Sequence, residues 1–357
     1  MLTIATSMNN EHTNRGEEII AFLIEKVPHH SDDLVRIVCD KFGITRQAVS
    51  RYLQELIDKG QIVATGNTNQ RRYELPLLRE ESFQFPIKNL EEDVVWRDKI
   101  SPFIAHLPSN VVSIWQYCVS EMVNNAIDHS DGTMMTVRVK QNAAVTEIVV
   151  WDDGIGIFRK IKQACNLDDE RHAVLELAKG KLTTDPARHT GEGIFFTSRM
   201  LDDFAILSGD VYFSHKHEEE EDWISQRERP DTGTAVFMML ANKSARTTKE
   251  VFDYFALEEH DYGFTKTVVP VRMAQHGAEQ LISRSQAKRL LARVDRFAIV
   301  LFDFARVDTI GPAFADEIFR VFERTHPNIR LVPINTVPDV EQMITRARSV
   351  PHTQTEV

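Results

Sequence analysis

Apolar positions recur at helical spacing in EEIIAFLIEKV (17–27), SDDLVRIVCDKFG (31–43) and TRQAVSRYLQELIDKG (45–60), which predicts three helices. Ser31 and Thr45 stand where N-caps belong, Gly43 and Gly60 where helices stop. The period then drops to two in QIVATGNTNQRRYEL (61–75) around Gly66-Asn67, a hairpin signal. LREESFQFPIKNLEED (78–93) has no clear period and contains Pro86, so it is read as a crossing into a second unit. From 94 to 245 helix and strand alternate: a long helix through VVSIWQYCVSEMVNNAIDH with Ser109 as its cap, then strands TMMTVRVKQ and AVTEIVVWDDG. A lid-like stretch over 158–190, the helix IFFTSRMLDDF and two more strands follow. This order predicts an α/β sandwich with helices on one face of a mixed sheet. From 248 to 350, strands FTKTVVPVRMA, FAIVLFDFARV and IRLVPINT alternate with helices, which predicts a small, parallel-rich α/β unit. The chain therefore divides into 14–78, 79–245 and 248–350, with 351–357 as a disordered tail.

A length of 357 residues suits two or three domains, and 42% hydrophobic residues suffice for proper cores. The net charge of −11 argues against coating nucleic acid or anionic membrane without specificity. No apolar run of about 18 residues predicts a membrane span. The first residues carry no basic segment followed by an apolar block, and a cytoplasmic location is expected. Cys39, Cys118 and Cys165 lie far apart and read as reduced thiols. HEEEED (217–222) reads as a solvated hairpin tip.

Two helices joined by a tight turn and followed by a β-ribbon resemble a winged helix-turn-helix. Arg46, Gln47, Ser50 and Arg51 head the recognition helix in that reading, and Arg71 and Arg72 lie in the wing. Arg15 to Leu75 holds nine Lys/Arg and nine Asp/Glu, so the segment as a whole is not basic. A small protein-docking domain also fits. DNA is the favoured partner because the positive residues fall where such domains touch it.

SEMVNNAIDHS (120–130) spaces Glu121, Asn125 and His129 four residues apart, a row along one helix face. Cys118, Met122 and Ala126 form the neighbouring apolar stripe. A row of oxygen donors at a pocket edge suits a hard cation such as Mg²⁺, which takes one or two protein oxygens and keeps phosphate and water. VVWDDGIGI ends an apolar strand on Asp152, Gly154 and Gly156, where glycines let the backbone approach a flat ligand. HTGEGIFF sets Gly191 and Gly193 at a helix start that favours phosphate. The spacing is neither that of a P-loop nor that of a Rossmann turn.

The ordered set resembles the ATPase domain of the GHKL superfamily (the Bergerat fold), which includes gyrase, histidine kinases and the MutL repair proteins. SEMVNNAIDH resembles its N box, DDGIGI its first glycine box and HTGEGIFF its second. The resemblance implies Glu121 as general base, Asn125 as Mg²⁺ ligand and Asp152 as acceptor for the adenine amine. Gly154 and Gly156 would shape that wall, Gly191 and Gly193 would hold phosphates under a flexible lid (158–190), and Thr234 would contact the adenine-binding Asp. Within the superfamily, VSEMVNNAIDH and GEGIFFTSRMLDDF are most similar to anti-sigma-factor serine kinases. The segment 248–350 resembles the STAS fold of anti-sigma-factor antagonists, and a STAS-like family of unassigned function. The antagonists' phosphorylated serine falls on Ile310 here, beside Thr309, for which capping of the helix turn is the favoured reading.

The expected whole is a multidomain α+β protein: winged helix, GHKL domain, STAS-like domain. Its expected role is a cytosolic ATP- and Mg²⁺-dependent regulatory switch with slow ATPase activity, binding specific DNA and, through the STAS-like unit, a protein partner, possible as a homodimer. The alternative is a serine/threonine kinase of anti-sigma-factor type. A histidine kinase is disfavoured by the lack of an upstream helical hairpin, and a gyrase-like clamp by the lack of a transducer domain.

Overall fold

A computed structural model describes residues 15–66, 71–182, 191–217, 222–256, 263–275 and 280–349. The N-terminal unit packs helix α1 (15–26) against α2 (Leu34–Phe42) and α3 (Arg46–Asp58), beside strands β1 (Val63–Thr65) and β2 (Arg72–Glu74), which pair antiparallel. Leu23, Val38, Val49, Leu53 and Leu56 fill its core, and Tyr73 closes it from the hairpin. Thr45 accepts from the Ala48 amide as expected, and Gly43 turns left-handed at φ 63°. Ser31 does not cap α2. Its hydroxyl bonds Asp32, and Asp33 occupies the N-cap position with its carboxylate drawn to His30 and Arg36.

The stretch read as a crossing is a strand, β3 (Arg79–Pro86), paired along its length with β4 (Met134–Gln141). It is an edge strand with little burial on either face, so its sequence shows no clear alternation. Pro86 is tolerated at its last position. Helices α4 (Glu92–Val95) and α5 (Ser101–Ile104), joined by a π-turn over Trp96–Ile100, lead into α6 (Ser109–His129). Pro108, not Ser109, is the N-cap of α6, because helical geometry already includes Ser109. Val111, Trp115, Cys118, Met122 and Ala126 bury one stripe of α6 against the sheet.

The sheet adds β5 (Val145–Asp152), β6 (Asp203–Lys216) and β7 (Asp222–Ala241) in the order β3-β4-β5-β7-β6. Every pairing is antiparallel, so the expectation of a mixed sheet is wrong. The helical crossover after β5 does bring β6 back in the same direction. Strand β7 inserts between them, and among the described residues of this sheet no parallel pair forms. The stretch expected as a flexible lid, 158–190, contains two helices, α7 (Ile157–Cys165) and α8 (Glu170–Lys179). Phe158, Ile161, Val174 and Leu177 bury their apolar faces, and 183–190 lie outside the described residues. Helix α9 (Gly193–Met200) precedes β6, and α10 (Thr248–Phe255) follows β7 with a capping box of Thr247 and Glu250.

The C-terminal unit is a parallel sheet in the order β10-β9-β8, as expected: β8 (Lys266–Pro270), β9 (Ile299–Asp303) and β10 (Arg330–Ile334). Around it lie α11 (Arg284–Leu291), α12 (Pro312–Asp316) running on through a π-turn into α13 (Glu323–Thr325), and α14 (Pro338–Ser349). Ser283 and Gln286 form a capping box on α11. Thr309 does not cap α12; Gly311 stands at the N-cap, without a side-chain bond. Ile310 is buried and bridges to Leu281. The core of this unit is continuous with that of the middle one. The tail 351–357 and most of the acidic run 217–222 lie outside the described residues. No helix among the described residues is long and apolar enough to cross a membrane.

Candidate functional site

The last turns of α6 carry Glu121, Asn125 and His129 into one cavity of about 270 Å³. Asp152, Gly191, Gly193 and Thr234 line it too, so the structure gathers four separate sequence segments at one place. Gly154 and Gly156 do not line it; they hold its wall from behind. A Cβ on Gly154 would lie 2.1 Å from the Ser130 carbonyl oxygen, and one on Gly156, at φ +94°, 2.7 Å from Ser208 Oγ. The end of α6 and the end of β5 are therefore pressed together as only glycine permits.

The two adjacent aspartates part company. Asp153 accepts from the Thr133 amide and hydroxyl and from the Met134 amide, which holds its carboxyl below the usual range. It ties the end of β5 to the start of β4. Asp152 is 7% exposed and accepts from the Gly154 amide at 2.9 Å. Burial pushes its carboxyl up to about 6, against those amide bonds. Across the sheet it pairs in register with Thr234, whose hydroxyl oxygen accepts from the Ile157 amide at 3.0 Å. Ser208 donates to the Gly233 carbonyl and lies 3.5 Å from the Thr234 hydroxyl. A buried carboxylate at a cavity wall, charged at neutral pH, is an acceptor suited to a ligand amine.

Opposite, Gly193 opens α9 directly on Glu121: a Cβ there would sit 1.9 Å from Glu121 Oε2. Gly191 adopts φ +73° against the Leu182 backbone, and the Leu182 amide donates to its carbonyl at 3.2 Å. The first amides of α9 have no carbonyl partner within the helix, and no side chain caps them, which favours an anion.

Asn125 Nδ2 is buried and has no hydrogen-bond partner among the described residues. An orphaned amide costs about 1–3 kcal/mol, and a phosphate oxygen, or a cation with the amide turned over, removes that cost. Among the described residues, no cluster of three His, Cys, Asp or Glu could hold a metal alone. A Mg²⁺ at Asn125 fits such a site, since it draws its other ligands from phosphate and water.

Sequence reading missed Lys160, which lines the cavity from α7 and pairs with Asp131 at 2.8 Å. Its place four residues after Gly156, in the first turn of an amphipathic helix, was the available signal.

Arg46, Gln47, Ser50 and Arg51 are exposed on α3, and the Ser50 hydroxyl donates to the Arg46 carbonyl. On the hairpin, Arg72 pairs with Asp32 at 2.9 Å, and Arg71 lies over the Tyr73 ring. These six residues stand apart from the cavity. Ala143 and Ala144, in the turn between β4 and β5, pack against the N-terminal core, at the end of β5 remote from Asp152.

Two family models match the chain. Residues 94–212 match the histidine kinase-like ATPase domain, and residues 286–341 match a STAS-like domain of unknown function. The chain thus contains a histidine kinase-like ATPase domain followed by a STAS-like domain. No curated protein matches it. The first match includes Glu121, Asn125, Asp152 and the four glycines and stops before Thr234; neither match reaches the N-terminal unit.

A pH dependence follows if the ligand is ATP and Asp152 accepts its adenine amine, as proposed below. Protonating Asp152 would then remove that acceptor, and affinity should fall about tenfold per pH unit below about 6. Calorimetry across pH 5–8 on wild type and Asp152→Asn checks this. ATP's own titration affects both proteins, and only the wild type should show the additional loss.

Proposed function

We propose that the chain is an ATP- and Mg²⁺-dependent regulatory switch that couples nucleotide binding to DNA binding. One observation carries the reading: Glu121, Asn125, Asp152, Gly191, Gly193 and Thr234 converge on a single cavity. Asp152 accepts the adenine amine, with Thr234 fixing the loop beside it. The amides at the start of α9 receive phosphate oxygens. Asn125 would hold Mg²⁺, which would supply charge neutralisation to the phosphates. Glu121 accepts a proton from the attacking water or hydroxyl, and turnover is slow because nucleotide is used to bias conformation.

The N-terminal unit acts as a winged helix. Gln47 and Arg51 read adenine and guanine edges, Arg46 and Ser50 support the helix on the duplex, and Arg71 and Arg72 contact phosphates. Exposure of all six residues supports this. Replacing Arg71 and Arg72 with alanine should weaken binding evenly across sequences and lower the salt slope by about one to two units, while Gln47 or Arg51 substitutions alter preference. Selection from genomic fragments followed by anisotropy titrations measures both. A selection that enriches no sequence, with no salt-dependent binding, would make the unit a protein-docking module.

The switch itself is tested by repeating those titrations with and without ATP and Mg²⁺. The reading requires the DNA affinity to change, and equal affinities would contradict it. The second reading, a serine/threonine kinase of anti-sigma-factor type, is favoured by the STAS-like domain in the same chain. The burial of Ile310 at the antagonist's serine position argues against that domain as its substrate. With γ-labelled ATP, free labelled phosphate marks an ATPase and labelled protein a kinase.

A further inference from the structure

We infer that the STAS-like end of the chain is a built-in sensor of the nucleotide cavity, with Lys179 as the positioning residue that fastens the two together. This deepens the nucleotide reading given above and rests on it.

Lys179 is the last residue of α8 and is 1% exposed. Its ammonium donates to Glu176 Oε1 at 2.8 Å, to the Arg289 carbonyl at 3.0 Å and to the Ala292 carbonyl at 2.8 Å. All three of its donors are used. Both carbonyls belong to the C-terminal end of α11, the negative end of that helix. A side chain from the ATPase domain thus caps a helix of the STAS-like domain. Arg293 reaches back to Glu176 Oε2 at 3.4 Å, and the Thr267 hydroxyl of β8 donates to the Lys179 carbonyl at 2.6 Å.

The fastening continues residue by residue toward the cavity. Gly180 turns at φ +79°, and a Cβ on it would lie 2.6 Å from the Phe264 ring. Lys181 donates to the Arg296 carbonyl at 3.0 Å, and Arg296 donates to the Lys181 carbonyl at 2.7 Å. The next residue, Leu182, lines the cavity and bonds Gly191. On the far side of that segment, Phe195 and Phe196 of α9 pack on Phe264 at 4.6 and 4.9 Å between ring centroids. The residues before Leu182 and those after Gly193 are therefore both seated on the C-terminal unit.

The chemistry of the contact suits a switch better than simple cohesion. Apolar residues of the same volume would hold two domains together as well or better than a buried ion cluster. An ammonium with three fixed acceptors has one register, whereas an apolar contact can slide. Nucleotide that sets the spacing of Leu182 and Gly191 therefore favours one docked arrangement. By linkage, docking raises nucleotide affinity by the same factor.

The test uses the full chain and ATP with Mg²⁺. Hydrogen exchange of amides in 284–296 should slow by about 5- to 150-fold when saturating ATP is added to wild type. The double variant Glu176→Gln/Lys179→Met removes both charges and keeps the volumes. It should bind ATP about 5- to 150-fold more weakly and lose the ATP-dependent slowing. Arg296→Ala, an exposed change that spares the core, should move both readouts in the same direction and keeps the test open if the double variant does not fold. Wild type that binds ATP with unchanged exchange in 284–296 overturns the sensor and leaves the nucleotide reading intact. Variants that bind and respond as wild type also overturn it. Wild type that binds no ATP defeats the nucleotide reading itself, and the sensor with it.

Discussion

Replacing Glu121 with alanine is expected to leave ATP bound and to slow its hydrolysis or transfer by about 10²- to 10⁴-fold, the usual worth of a positioned general base. The carboxylate lines the cavity on α6, and Gly193 brings the start of α9 against it so closely that a Cβ would lie 1.9 Å away. The proposed base and the first amides of α9 are thereby held side by side. The same contact predicts that Gly193→Ala displaces one of them and lowers turnover as well. Single-turnover assays with γ-labelled ATP separate the effect on chemistry from the effect on affinity. Wild type that releases no phosphate and labels no protein would reduce the domain to a binding switch without a catalytic base.

Asp152→Asn should weaken ATP binding by about 1–3 kcal/mol, because the carboxylate proposed to accept the adenine amine becomes a mixed amide. It should also make the ligand-free protein more stable at neutral pH. Burial raises this carboxyl from 3.8 to about 6. Its contribution to stability is therefore fully present below about 3.8 and is lost as pH rises through about 6. A shift of about two units corresponds to a cost of about 3 kcal/mol for the charged form at pH 7. A neutral amide of the same shape avoids that cost. Opposite signs for stability and affinity distinguish a ligand-binding carboxylate from a structural one. Asp153, with three donors on its carboxylate, should show the reverse: Asp153→Asn lowers stability. Thermal melts of both variants with and without ATP make the comparison.

The site was more legible in the sequence than the surfaces around it. Glu121, Asn125 and His129 repeat at helical spacing, and the glycines at 154, 156, 191 and 193 mark places where a Cβ would meet neighbouring atoms. Such local constraints leave local patterns. The parallel C-terminal sheet was legible because its strands, one face buried and the other largely half-buried, still read as apolar runs in the sequence. Strand β3 was not, because an exposed edge selects no alternation. The antiparallel sheet was misread because the insertion of β7 between β5 and β6 is a long-range choice that no short window records. Helices α7 and α8 hid in a stretch read as a lid, since glycine and charge at its ends drew the eye from Phe158, Ile161 and Val174. Lys179 reads as an ordinary helix-ending lysine, and only the fold shows that its acceptors come from residues 289 and 292.

The central claim is that this cavity holds ATP through Asp152 and Mg²⁺ through Asn125. Calorimetric titration of ATP into wild type, Asp152→Asn and Asn125→Ala, each with and without Mg²⁺, tests it most directly. The account predicts weaker binding by Asp152→Asn in both conditions. It predicts wild-type affinity for Asn125→Ala without Mg²⁺, and loss of the gain that Mg²⁺ gives the wild type. Unchanged affinity in both variants, under both conditions, would contradict it.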